Sequence, residues 1–142
     1  MPHIELRPLT DDNRDAAFDA VRDSTSSWPR GVFDGRASFD AWVERSDVEV
    51  FTISQDDRVT GVAAAMDVDG DREILLAVSP EADDTAPTEA LRQLTVREAE
   101  RPLYACVSAD DEPAHDMLAR IGFVEHEHDG ADVVYVLPPT LE

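Results

Sequence analysis

The stretch Asp111-Glu112-Pro113-Ala114-His115-Asp116-Met117-Leu118-Ala119-Arg120-Ile121-Gly122-Phe123 reads as one helix, Glu112 to Ile121, set between strand-like segments. Before it runs Leu103-Tyr104-Ala105-Cys106-Val107; after it come closing strands near Val124 to Glu127 and Val133 to Leu137. Further back, a helix from about Pro87 to Glu98 follows the strand Glu73 to Val78, which Ser79-Pro80 ends. Ile74-Leu75-Leu76-Ala77-Val78 is apolar on both faces, as a central strand covered on both sides must be. It is predicted to lie between the Arg58 to Met66 strand and the Leu103 to Val107 strand. From Val48 the period is two, and Gln55-Asp56-Asp57-Arg58 folds the chain into a hairpin, with a second turn at Asp69-Gly70-Asp71. The amino-terminal part gives a strand, Ile4 to Arg7, and a capping-type Thr10-Asp11-Asp12. A helix with Ala16, Ala17, Phe18, Ala20 and Val21 on one side follows. Ser24 to Arg36 reads as a loop, and Ser38 to Arg45 as a short helix with Phe39, Trp42 and Val43 inward.

The 142 residues fit a single domain spanning 1–142. Charge is the outstanding compositional feature: 32 acidic residues against 12 basic ones leave −20, and every basic residue is Arg. The carboxylates are scattered, so the surface is acidic everywhere, a pattern that resembles proteins adapted to molar salt. A field of this sign repels phosphate backbones and anionic lipid, so neither nucleic acid nor membrane is expected as a partner unless salt screens the charge. Met-Pro-His-Ile-Glu-Leu is not a signal peptide and no apolar run reaches the length of a span, so a cytoplasmic protein is expected. Cys106, the single cysteine, forms no internal disulfide and is expected to pack in the core.

The helix beginning Asp111-Glu112-Pro113-Ala114 and ending Gly122-Phe123 resembles the closing motif of the GCN5-related N-acetyltransferases. In that family it reads approximately Asn-Glu-Pro-Ala, then Tyr, then Gly-Phe. Asp111 stands in the Asn position and Leu118 in that of the Tyr, the usual proton donor to the leaving thiolate. Ile4-Glu5-Leu6-Arg7-Pro8-Leu9-Thr10, Asp57-Arg58-Val59-Thr60-Gly61-Val62-Ala63 and Leu76-Ala77-Val78-Ser79-Pro80 are similar to the family's opening strand, second hairpin and pre-loop strand. The resemblance implies an α/β fold, a mixed central sheet of about six or seven strands flanked by about four helices. It also implies acetyl-CoA or another acyl-CoA as co-substrate, and a small-molecule or peptide amine as acceptor. Pairing into a homodimer stays open.

In the family, a cation, two variable residues, a Gly, another residue and a Gly or Ala follow that proline, letting backbone N–H groups approach the pyrophosphate. Here the pattern falls on Asp83, Asp84, Thr85, Ala86, Pro87 and Thr88, with the cation, the first glycine and the closing small residue all absent. Pro87 has no N–H to give; it suits a first helical turn capped by Thr85 or Asp84. With Ala77, Val78 and Asp111, the residues Asp83, Asp84, Thr85, Ala86 and Thr88 form the implied cofactor-binding set.

Glu73 lies close to the family's water-relayed base but one residue out of step, and a slip of one reverses a strand's face. The slip favours a surface or hairpin-edge glutamate, and Glu73 is retained as the candidate base. Tyr104 and Tyr135 are expected as core aromatics. His126 and His128 should share one face of a strand, yet no third ligand is fixed by spacing, so no metal is expected. Trp28, Arg30 and Phe33, in the segment that lines the acceptor pocket in the family, are the candidate substrate contacts, or else fasten that loop to the core. Two functions follow: an acyltransferase that positions its reactants and holds an oxyanion on a backbone N–H near Ala77 and Val78, or a non-catalytic binding or dimerisation module with a decayed cleft.

Overall fold

The computed structural model describes residues 3–22 and 35–139. Seven strands and four helices follow in the order β1 (Ile4–Pro8), α1 (Arg14–Arg22), α2 (Arg36–Val43), β2 (Val48–Gln55), β3 (Arg58–Val68), β4 (Asp71–Val78), α3 (Ala86–Arg97), β5 (Leu103–Ser108), α4 (Glu112–Ile121), β6 (Val124–Asp129) and β7 (Asp132–Leu137). The strands form one sheet, β1-β2-β3-β4-β5-β7-β6. Every neighbouring pair is antiparallel except β4 and β5. The expected mixed sheet is therefore present, with β4 between β3 and β5.

Local chemistry sets the turns. Asp56 and Asp57 have φ of 49° and 72°, and Asp69 and Gly70 have φ of 51° and 90°. Both hairpins thus close through two left-handed residues, the geometry whose twist matches the flanking strands. Helix α1 starts later than Thr10-Asp11-Asp12 suggests, because Asn13 organises the turn. Its Oδ1 accepts the Thr10 amide at 2.8 Å, its Nδ2 donates to the Pro8 carbonyl at 3.2 Å, and its carbonyl accepts the Ala17 amide. Helix α4 is bounded as its sequence suggests: the Asp111 carboxylate accepts the Ala114 amide at 3.3 Å, and Gly122 ends the helix at φ 118°.

The two faces of the sheet are covered unequally. Register and alternation put Phe51, Ala63, Leu76, Ala105 and Tyr135 on one face, beneath α3 and α4. On the other face α1 and α2 cover β2 to β4, burying Ala17, Val21, Phe39 and Trp42. Among the described residues no helix lies over β5, β7 and β6 on that side, so Tyr104, Cys106 and Val134 stay partly exposed. Cys106 and Tyr104 are accordingly not core residues, as the alternation with buried Leu103, Ala105 and Val107 makes plain. Tyr135 is buried, with its hydroxyl against His115.

Candidate active site

The site is built around the parallel pair. β4 and β5 are in register only at Arg72 with Leu103 and Glu73 with Tyr104. Beyond Glu73 the strands diverge, so Leu75 to Val78 keep a ladder with β3 but have none on the β5 side. Because the two strands run the same way, the gap opens at their carboxyl ends, where the β4–α3 loop and Asp111 at the head of α4 also lie. Ala77 and Val78 border this gap. A close approach of β3 holds them there: a Cβ on Gly61 would sit 2.3 Å from the Ala77 carbonyl oxygen and 2.9 Å from the Val78 Cα.

On the uncovered face, at the narrow end of the gap, is a cavity of about 390 Å³ walled by Glu73, Tyr104, Cys106, His126, Glu127 and Val134 and rimmed by Asp69 and Asp71. Glu73 is half-buried, makes no hydrogen bond or ion pair among the described residues, and its pKa is pushed up by that burial. A lone carboxyl held partly out of water is the arrangement that suits proton transfer. Alternation puts it on the same face as Leu75 and Ala77, so it opens into the cavity instead of lying on a hairpin edge. Tyr104 and His126 pack edge to face at 5.9 Å between ring centres. His126 and His128 do not share a face: a bulge between Glu125 and Glu127 inserts one residue, so His126 turns to Tyr104 while His128 pairs with Glu125 at 3.2 Å. A second cavity, about 400 Å³, flanks the loop beside α1 and is walled by Ala16, Ala20, Thr60, Ser79 and Pro80.

The loop after β4 is differently furnished from a phosphate cradle. The Ser79 amide donates to the Thr60 carbonyl at 2.7 Å, the Glu81 amide to Ser79 Oγ at 3.2 Å, and the Ala82 amide to the Ser79 carbonyl at 3.0 Å. The Asp83 amide donates to Gln55 Oε1 at 2.8 Å, the Thr85 amide to the Asp83 carboxylate at 3.0 Å, and the Ala86 amide to the Asp83 carbonyl at 3.0 Å. Only the Asp84 and Thr88 amides of this stretch lack an acceptor among the described residues. Neither Thr85 nor Asp84 caps α3 through its side chain; the Asp83 carboxylate instead takes both the amide and the hydroxyl of Thr85, the residue just before the helix. Those two donors hold its pKa below the usual carboxylate value. Ala86 is fully buried.

Of the residues singled out by sequence, Glu73, Ala77 and Val78 are brought together along β4, and Asp83, Asp84, Thr85, Ala86, Thr88 and Asp111 lie at the carboxyl end of the gap. Trp28, Arg30 and Phe33 fall outside the described residues. Leu118 is fully buried in the core under α4. Sequence reasoning missed Gln55 and the cavity wall of Tyr104, Cys106 and His126. The period of β5 carried a signal for the wall, whereas nothing local marks Gln55, which acts across 28 residues.

No family model and no curated protein sequence matches the chain. Solved structures do. A domain from Methanocaldococcus jannaschii superposes with a TM-score of 0.76 at 10% identity, covering 98% of this chain and 100% of that one. The ribosomal-protein-S18-alanine N-acetyltransferase of Escherichia coli gives 0.72 at 16% identity, with 100% and 96% covered. The Campylobacter jejuni N-acetyltransferase PseH, in complex with acetyl coenzyme A, gives 0.67 at 15% identity, with 97% and 100% covered. The fold of this chain is thus that of the acyl-CoA N-acyltransferases.

Proposed function

We propose that the protein is a member of the GCN5-related N-acetyltransferase family that moves an acyl group, acetyl in the simplest case, from an acyl-CoA thioester to a primary amine of a small molecule or peptide. The observation that carries this reading is the opening of β4 from β5 just past Glu73, with an unpartnered, half-buried carboxyl at the vertex. An extended pantetheine arm fits an unpaired strand edge, where backbone groups bind it as they would another strand. The Ala77 and Val78 region then offers an N–H to the oxygen that becomes negative as the amine attacks the carbonyl. Glu73 lies four residues from Ala77 on the same face, about 13 Å of strand. It takes the ammonium proton through ordered water rather than directly. The C–S bond breaks, and the thiolate takes its proton from solvent, because Leu118 has none to give.

A second reading, a non-catalytic binding or dimerisation module, draws support from the loop, most of whose amides are already engaged, and from the apolar Leu118. The two separate by thiol release from acetyl-CoA over a panel of primary amines in molar KCl. Transfer that is lost in Glu73→Gln supports the enzyme; no amine-dependent thiol release supports the module.

A further inference from the structure

We infer that the Asp83 carboxylate is a resident anion at the amino end of α3, so that the cleft takes its thioester donor by the pantetheine arm and gains no affinity from the diphosphate. This rests on the N-acyltransferase reading and concerns how that site selects its donor.

An incoming diphosphate binds a helix terminus through unengaged N–H groups and the positive end of the helix dipole. At the head of α3 most of these N–H groups are in use, and only the Asp84 and Thr88 amides lack an acceptor among the described residues. The Thr85 amide and hydroxyl point to the Asp83 carboxylate, the Ala86 amide to the Asp83 carbonyl, and Pro87 has no N–H. Gln55, at the end of β2, fixes the loop from outside by accepting the Asp83 amide at 2.8 Å. Residue 83 is thereby held at both its main chain and its side chain. No basic residue lies between Ser79 and Arg92 to favour an external anion, and Arg92 is itself paired with Glu89. Further along the donor path the structure is open: β4 presents its unladdered edge from Leu75 to Val78.

Occupancy of donors and general repulsion are separable, because salt acts on only one of them. Molar salt shortens the screening length to roughly 3 Å, which removes repulsion from neighbouring carboxylates but does not free an amide already hydrogen-bonded at contact. Asp84 is the internal control. It adds the same charge one residue on, and no hydrogen bond is formed by its carboxylate among the described residues.

The experiment is calorimetric titration of S-acetylpantetheine and of acetyl-CoA into the full chain in molar KCl, for the natural protein, Asp83→Gly, Asp83→Asn and Asp84→Asn. The natural protein is expected to bind both thioesters within about threefold of each other, and Asp83→Gly to bind acetyl-CoA about tenfold more tightly with acetylpantetheine unchanged. Asp83→Asn keeps an acceptor for the Thr85 amide and should shift acetyl-CoA in the same direction by less, which secures the result if the glycine variant is poorly folded. Asp84→Asn keeps the main-chain amide by which residue 84 enters the implied binding set and removes only a side-chain charge that molar salt screens, so it should move neither ligand. A natural protein that binds acetyl-CoA tenfold or more above acetylpantetheine overturns the inference while leaving the acyltransferase reading standing, as does an Asp84→Asn gain equal to that of Asp83. Failure of every variant to bind either thioester overturns both.

Discussion

In the proposed reaction Glu73 is the base. A general base contributes typically about 10²- to 10⁴-fold, so Glu73→Gln is expected to lower kcat by that factor and to leave acetyl-CoA binding unchanged. Burial raises its pKa, so under the proposed reaction the natural chain's rate should climb as pH rises through that raised value, a limb that the Gln variant lacks. The same shift has a stability sign. A carboxyl whose folded pKa lies above its unfolded one contributes stability below the unfolded pKa and loses it as pH rises through the folded one. Glu73→Gln should therefore melt higher than the natural chain at neutral pH and no higher near pH 4; a lower melt at neutral pH would show a partner for Glu73 in solution. At Gly61 the contacts are with backbone, so Gly61→Ala must displace Ala77 and Val78, at about 1–3 kcal/mol of stability and with loss of transfer. Denaturant midpoints with a parallel activity assay check both effects. Leu118→Tyr places a ring and a hydroxyl in a filled core and is expected to cost a similar amount without raising kcat. At this scale the sequence was partly legible. The candidate base was visible, but its exposure depends on β5 and β6, and the hold on Asp83 depends on Gln55, far along the chain.

At the scale of elements, what creates the site is a pair of parallel strands that separate after two register positions. The order of elements and the central place of β4 were readable, because a run apolar on both faces has few other homes. The divergence was not, since no residue of β4 or β5 announces where pairing stops. The bulge in β6 was equally hidden: His126 and His128 alternate in sequence, and only the extra residue in the ladder sends them to opposite faces. A junction of elements supplies another test. Glu49 on β2 is raised by burial and by the neighbouring Glu98 carboxylate at the end of α3, which Arg72 of β4 meets at 3.0 Å. By the same sign, Glu49→Gln should raise the thermal midpoint slightly at neutral pH, solvent screening keeping the gain small at this exposed position, and the gain should vanish in acid.

For the whole molecule, charge is the governing quantity. The arginines are largely committed to surface ion pairs such as Arg7 with Asp57, Arg36 with Asp15 and Arg45 with Asp47. Each is screened by solvent and weakens further in salt. The uncompensated −20 acts the other way, opposing compaction until counterions screen it. Relief of repulsion should dominate: the thermal midpoint is expected to rise by roughly 10 °C, equivalent to about 2–3 kcal/mol, between tens of millimolar and molar KCl. Equal midpoints would remove the argument for salt adaptation. Composition gave this much directly, since net charge needs no fold to be read. The central claim, that the opening between β4 and β5 receives an acyl thioester for transfer to an amine, is tested most directly by amine-dependent thiol release from acetyl-CoA in molar KCl. The account predicts turnover by the natural chain that falls about 10²-fold or more in Glu73→Gln; no turnover with any primary amine, or turnover that the Gln variant retains, would contradict it.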